Sequence, residues 1–308
     1  MSRPGRAATL AVAMAVAAAL AGCGDRGAAD AGASPSSQAT TPAPTASRAG
    51  STGPAGPVRA GFVAFGDFGG GPAQQAVADA MERWAARHRV DALVTTGDNV
   101  YERGEPARFA AQLDRPYAEL RRSRPLWVSL GNHDVTAGHG PEQLRHLGLP
   151  DQPYAKTLPG ARLLLLDSNR VDQDQTDWLE RQLSGPGPRL RVVVFHHPVW
   201  SCSSHDSTEE IIRRWRPVLE RHRVALVLSG HDHNYQRFSS PQGVTYVVTG
   251  GGGRSLYPLD DRCPAGTPPR AAEARRYHFT AVEVRERSLV VTAVAEDDSV
   301  LDRVVIRR

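Results

Sequence analysis

The sequence predicts an α/β protein whose sheets carry helices on their outer faces. Two features point there: short apolar runs alternate with helix-patterned stretches, and residues 279–308 are strand-patterned throughout. In order, residues 61–65 ("GFVAF"), 92–96, 126–130, 162–166, 191–195, 225–229 and 245–249 read as buried strands. Residues 174–183 and 207–222 read as helices. In the second, Ile211, Ile212, Trp215, Val218 and Leu219 share a face, and Ser207 with Glu210 forms a capping-box pattern. Pro217 is expected to kink that helix or restart it. The tail alternates with period two around turn residues, as an antiparallel meander does.

The first residues are of another kind. Arg3 and Arg6 precede an apolar run from Ala7 to Leu20, too short and Ala-rich for a comfortable membrane span. Residues 1–22 are therefore expected to be an export signal. Their end, with Cys23, reads "LAGC" and resembles the lipobox of bacterial lipoproteins. That resemblance implies lipid on Cys23 and an exported chain tethered to the bacterial cell membrane. Residues 23–58, rich in Ala, Ser, Thr, Pro and Gly, cannot bury enough apolar surface to offset ordering and are expected to be a flexible tether. Residues 59–308 remain as one folded domain.

The formal net charge of +4 rests almost wholly on arginine, with Lys156 the one lysine. The clusters "RRSR" (121–124) and "RRWR" (213–216) fall on or beside helical stretches. No aromatic platform is interleaved, so solvated helix faces are expected and nucleic acid is not an expected partner. Besides Cys23 the chain has Cys202 and Cys263, and in an exported protein these permit a Cys202–Cys263 disulfide.

In helix-covered sheets, ligands gather beyond the carboxyl ends of the strands. Here those ends carry a repeated chemistry. Asp67 follows the first run ("GDFG"), and Asp98 and Tyr101 follow the second ("GDNVY"). Asn132, His133 and Asp134 follow the third ("GNHD"). His196 and His197 end the run 191–195 ("HHP"), and His231 and His233 end the run 225–229 ("GHDHN"). A lone histidine at such a place is usually structural, but five such endings at one edge are hard to assign to that background. Two Asp, one Asn, three His and one Tyr are too many for one four-coordinate zinc and suit two ions sharing a carboxylate. Mixed oxygen and imidazole donors favour iron, zinc or manganese.

Taken in order, "GDFG", "GDNVY", "GNHD", "VVFH" and "GHDH" resemble the five blocks of the purple acid phosphatases within the calcineurin-like metallophosphoesterases. The likeness is to their small, single-domain, tartrate-resistant form. It implies two packed mixed β-sheets flanked by helices, an α/β/β/α sandwich. It also implies that Asp67, Asp98, Tyr101 and His233 hold one ion, and that Asp98 bridges to a second held by Asn132, His196 and His231. By the same resemblance His133 touches the substrate phosphate, Asp134 orients it, and His205 contacts phosphate and protonates the leaving group. His197 departs from the pattern, which usually has an aromatic there, and is expected to be a packed loop histidine. His139 is expected at the surface, and "GGGGR" (250–254) as a tight turn lining the site.

The expected reaction is phosphomonoester hydrolysis by a hydroxide held on the ions, without a phosphoenzyme; no Ser sits in a nucleophile elbow. A phosphodiesterase or nucleotide hydrolase on the same scaffold is the alternative, and an inactive surface-binding lipoprotein the remote one. Tyr101 bears on the metal. Many metallophosphoesterases have Asp-x-His in the first block, but here the third position is Gly69. Tyr101 is expected to replace that donor. A phenol with an ordinary pKa near 10 needs a strong Lewis acid to bind as phenolate. Fe(III) is therefore expected at the tyrosine site, with Fe(II), Zn(II) or Mn(II) at the second.

Overall fold

The computed structural model describes residues 56–308, so the expected export signal, Cys23 and nearly all of the expected tether lie outside the described residues. In chain order the elements are β1 (Ala60–Phe65), α1 (Pro72–Arg87), β2 (Ala92–Thr95), α2 (Ala118–Arg121), β3 (Leu126–Val128), α3 (Asn132–Val135) and α4 (Gly140–His146). There follow β4 (Tyr154–Leu158), β5 (Ala161–Leu165), α5 (Gln173–Ser184), β6 (Leu190–Val194), α6 (Glu209–Arg214) and α7 (Arg216–Arg221). The last are β7 (Leu226–Ser229), β8 (Tyr235–Ser239), β9 (Thr245–Thr249), β10 (Arg270–Ala274), β11 (His278–Val284), β12 (Ser288–Ala295) and β13 (Val300–Arg307).

Two mixed sheets result, in the order β13-β12-β11-β1-β2-β3 and β10-β8-β9-β7-β6-β5-β4. Strands β1, β2 and β3 run parallel, as do β5, β6, β7 and β9. The expected meander is present: β11, β12 and β13 pair antiparallel in sequence. Three apolar layers explain the stacking. Phe62, Val94, Trp127, Leu163, Val192, Leu228, Val282 and Val291 meet between the sheets. Val77, Met81, Leu93, Tyr117 and Phe279 lie between the first sheet and α1. Leu179, Leu183, Ile211, Trp215 and Leu219 cover the second sheet with α5–α7. The parallel strands are buried on both faces, which is why they read as unbroken apolar runs.

The stretch 207–222 departs from one expectation. It is two helices, with Trp215 as the joint and Pro217 inside the first turn of α7, where its missing N–H breaks no ladder bond. The capping box does not form. Thr208 is the N-cap residue, and the Ser207 hydroxyl instead accepts from the Ser201 N–H at 3.1 Å. Ser207 is thereby engaged with the loop that carries His205. The α5 cap is regular: Asp172 accepts from Gln175 N–H.

Candidate metal centre

The side chains expected at the site leave β1, β2, β3, β6 and β7 at their carboxyl ends, on one edge of the paired sheets. The turns are unusual. Asp67, Asp98 and His231 have φ of 58°, 52° and 72°, a region that non-glycine residues rarely occupy. Such conformations persist where surrounding structure over-determines them, typically at functional sites. Gly131 shows the crowding: a Cβ there would lie 2.0 Å from Asp98 Oδ1.

Two sets of donors share Asp98. On one side the Tyr101 hydroxyl is 2.9 Å from Asp98 Oδ2 and 3.2 Å from His233 Nε2, and His233 Nε2 is 3.6 Å from Asp67 Oδ1. On the other, His196 Nε2 is 3.0 Å from Asn132 Oδ1, 3.2 Å from His231 Nδ1 and 3.5 Å from Asp98 Oδ1. Donors that each lie about 2.0–2.2 Å from one ion stand about 2.8–3.6 Å from one another, so both sets have the right spacing. The lone pairs are also aimed correctly. His196 Nδ1 meets the Thr96 carbonyl at 2.9 Å and His233 Nδ1 meets the Ser255 carbonyl at 2.8 Å. Each therefore carries its proton on Nδ1 and leaves Nε2 bare, as a metal-binding imidazole does.

Electrostatics gives the same answer. Burial, then the neighbouring Asp98 charge, pushes the Asp67 carboxyl well above the ordinary range. Burial raises Asp98 too, against the pull of His133, and raises Tyr101 far above a free phenol, reinforced by Asp67 and Asp98. Burial and neighbouring histidines push His196 and His231 down, and burial lowers His233 to about 4. Each group is driven to its uncharged form, as expected of a buried cluster built around cations that proteins do not themselves supply. The donors fit two metal ions.

Tyr101 is both packed and chemically placed. It is buried, yet its hydroxyl touches Asp98 and His233. A Cβ at Gly69 would lie 3.1 Å from Tyr101 Cδ2, and Gly69 has φ of 60°. The tyrosine ring and the Arg254 side chain, whose Cδ would lie 2.8 Å away, share the space into which a side chain at 69 would project.

Two further histidines lie against these donors. The His133 ring lies 4.3 Å from that of Tyr101, and the His205 ring 4.0 Å from that of His231. The reading of Asp134 needs correction. Its carboxylate accepts from Asn99, Val100 and Gly131 N–H and from Gln143, which ties the β2 and β3 turns together. The His133 ring is held instead by the Glu102 carbonyl, 2.6 Å from Nδ1. Two residues escaped the sequence reading. Asp232, fully buried, accepts from His205 N–H at 3.0 Å and meets His205 Nδ1 at 3.2 Å, while Ser201 donates to its other oxygen. That hydrogen bond raises the His205 pKa. Tyr257 stacks on His233 at 4.0 Å. Asp232 was masked by lying between two stronger motif residues; Tyr257 had no local signal.

His197 is a loop histidine, with Nδ1 2.9 Å from Ser168 Oγ. His139 lies beside Glu142 at the start of α4, away from these donors. No helix follows the glycine-rich turn, whose Gly252 and Arg254 N–H groups bind the Gly66 and Asp67 carbonyls. Cys202 and Cys263 form the expected disulfide, joining the His205 loop to the segment that follows Tyr257.

Residues 61–235 match the family described as Calcineurin-like phosphoesterase. The chain is 30% identical over 233 residues to Purple acid phosphatase 4 of Arabidopsis thaliana, covering 64% of this chain and 68% of that one. It is 27% identical over 235 residues to mouse Tartrate-resistant acid phosphatase type 5, covering 62% of this chain and 72% of the relative. The structure of a purple acid phosphatase from yellow lupin seeds superposes with a TM-score of 0.72 at 16% identity, over 81% of this chain and 54% of that one. With this fold, these matches and a site fitted for metal, the chain is a metal-dependent phosphoesterase and belongs to the calcineurin-like phosphoesterase family, in its purple acid phosphatase group.

Proposed function

We propose that the protein is an exported phosphomonoesterase whose two ions are unlike. The observation that carries this is the sharing of Asp98, with a phenol on one side and none on the other. Asp67, Asp98, Tyr101 and His233 would hold Fe(III), and Asp98, Asn132, His196 and His231 would hold Fe(II), Zn(II) or Mn(II). Bound ions of this kind neutralise phosphate charge and make water acidic enough to attack near neutral pH.

The remaining chemistry belongs to the chain. His205 directs Nδ1–H at Asp232, so its transferable proton is on Nε2, and Asp232 holds the ring for that transfer to the leaving oxygen. His133, with Nδ1–H on the Glu102 carbonyl, presents Nε2 to a phosphoryl oxygen. Asp134 keeps the β2 and β3 turns in register so that Asp98 and Asn132 face each other.

Turnover of p-nitrophenyl phosphate against its bis-ester tests the reaction: the monoester should be preferred at least tenfold, and preference for the diester would install the phosphodiesterase reading. Iron-loaded protein should show a visible tyrosinate-to-iron band that Tyr101→Phe abolishes; colour surviving the substitution overturns the metal assignment. Export and lipid on Cys23 complete the proposal, supported by the "LAGC" segment and by a disulfide suited to an oxidising compartment. Cys23→Ala should release the protein from membranes in fractionated cells, and continued membrane attachment would refute the anchor.

A further inference from the structure

His197 stands among the metal-site histidines without a place in the mechanism above. Its ring lies 4.6 Å from that of His231 and 4.9 Å from that of His196. Ring nitrogens of these three residues come within 4.8 Å of one another, so by proximity alone His197 could be an extra ligand to the second ion. The hydrogen bonds around Ser168 argue otherwise.

Ser168 follows β5, and its Oγ has three partners: the His196 N–H at 3.1 Å, the His197 N–H at 2.9 Å and His197 Nδ1 at 2.9 Å. A hydroxyl has two lone pairs and one hydrogen. The two backbone N–H groups can only donate, and they use both lone pairs. The hydroxyl hydrogen must therefore point at His197 Nδ1, which must be an acceptor. A neutral imidazole with a bare Nδ1 carries its proton on Nε2. This is the opposite tautomer from His196 and His233, whose Nδ1 atoms meet carbonyl oxygens. His197 Nε2 has no hydrogen-bond partner among the described residues, and the residue is partly exposed beside the His231 ring.

We infer that His197 is a substrate-binding residue, donating its Nε2–H to a non-bridging phosphoryl oxygen on the side of the second ion, with Ser168 as the positioning residue that fixes the tautomer. His133 and His205 each have their Nδ1–H committed, so their Nε2 atoms donate only when the ring is protonated. His197 donates while neutral. The proton that His197 offers comes from the tautomer that Ser168 fixes.

This inference rests on the phosphoester-hydrolase reading, but its tests can be separated from it. In ¹⁵N spectra of the chelator-treated protein, the His197 ring should show protonated Nε2 and bare Nδ1, and Ser168→Ala should mix the tautomers. In metal-loaded protein, His197→Phe keeps a ring but no donor. It should retain two ions per chain and raise the inhibition constant for inorganic phosphate by about tenfold to a hundredfold, the range for one hydrogen bond to a charged group. KM should rise with it while kcat falls less. His197→Gln, which can return an N–H near the position of Nε2, should recover much of the phosphate affinity. A protonated Nδ1, loss of one ion from His197→Phe, or an unchanged phosphate constant in a folded two-metal variant would each overturn the inference. If the wild-type enzyme hydrolyses no phosphoester, the functional reading fails; the ¹⁵N spectra and calorimetric titration with phosphate still decide the role of His197.

Discussion

Two buried carboxylate sites in this protein are solved in opposite ways. Asp302 on β13 is met by the Arg237 guanidinium at 2.6 and 3.1 Å and by the Tyr235 hydroxyl at 2.7 Å, both from β8 of the other sheet. Burial alone would raise its pKa, but these partners outweigh burial and hold the carboxyl below its ordinary range. Asp67 and Asp98 are buried at least as deeply, receive N–H and O–H donors but no arginine or lysine among the described residues, and are raised. The difference separates Asp302, which serves the fold, from Asp67 and Asp98, which await something from outside. Where the protein supplies the counter-charge, the site fastens the two sheets. Where it withholds it, at Asp67 and Asp98, the donors are left to bind cations at the expense of stability.

The sharpest way to break this comparison is Asp98→Asn. The shared donor is lost, so phosphatase activity should fall at least about a thousandfold, some 4 kcal/mol in the barrier. The chelator-treated variant should nevertheless melt higher than chelator-treated wild type, because a neutral amide replaces a carboxylate that burial disfavours. A lower melting temperature would mean that the hydrogen bonds to Asp98 already satisfy it. Chelation of the wild type should itself lower the melting temperature, by a stabilisation of about 4 kcal/mol when free metal had stood at a thousand times Kd.

Asp302→Ala should give the reverse pattern. Leaving Arg237 and Tyr235 unmatched should cost roughly 3 kcal/mol of folding free energy, the lower end for half of a buried pair, with kcat unchanged. The sign with pH follows from the lowered pKa. The stabilisation is fully present above the unfolded carboxyl value and disappears as pH falls through the folded one. Urea unfolding at pH 7 and pH 3 measures both: wild type should lose this stability at low pH, and the variant should have none to lose.

Asp232→Asn then asks how far the site relies on neighbours that do not face the ions. His205 would lose its carboxylate partner but keep its own ring, so kcat for substrates with poor leaving groups should drop about thirtyfold, less than the roughly hundredfold or more expected for loss of the acid itself. For p-nitrophenyl phosphate, whose leaving group needs little protonation, the fall should be only a few-fold. Equal losses on both substrates would make Asp232 structural. This pair also marks how much was legible in the sequence. Asp67, Asp98, Asn132, His196 and His231 could be read because each closes an apolar run, all but His196 at a glycine turn, a local pattern. The Asp232–His205 and Ser168–His197 pairings span 27 and 29 residues, and only the packing of β7 against β6 and β5 brings them together. Helix α1, which buries Val77, Ala78, Ala80 and Met81, follows a glycine-rich turn and has no side-chain cap to mark its start.

The smallest effect belongs to a third acid that resembles Asp302 in partners but not in setting. Glu180 on α5 meets Arg221 at 2.5 Å and His222 at 2.7 Å at the end of α7, and the His222 bond, with help from Arg221, holds its pKa below the ordinary value. Glu180 and Arg221 are, however, 37% and 59% exposed, whereas Asp302 and Arg237 are 11% and 14% exposed. Water already solvates the exposed ions, and salt screens what remains. Glu180→Gln should therefore cost less than about 1 kcal/mol, and that loss should vanish in 1 M salt. Being a lowered carboxyl, Glu180 should contribute above its unfolded pKa and cease to do so in acid, in the same direction as Asp302 but over a smaller range of stability. If urea titrations gave Glu180→Gln as large a loss as Asp302→Ala, burial would not be what separates the two. The contrast between charges matched by the chain and charges left for metal would then have to be drawn from geometry alone.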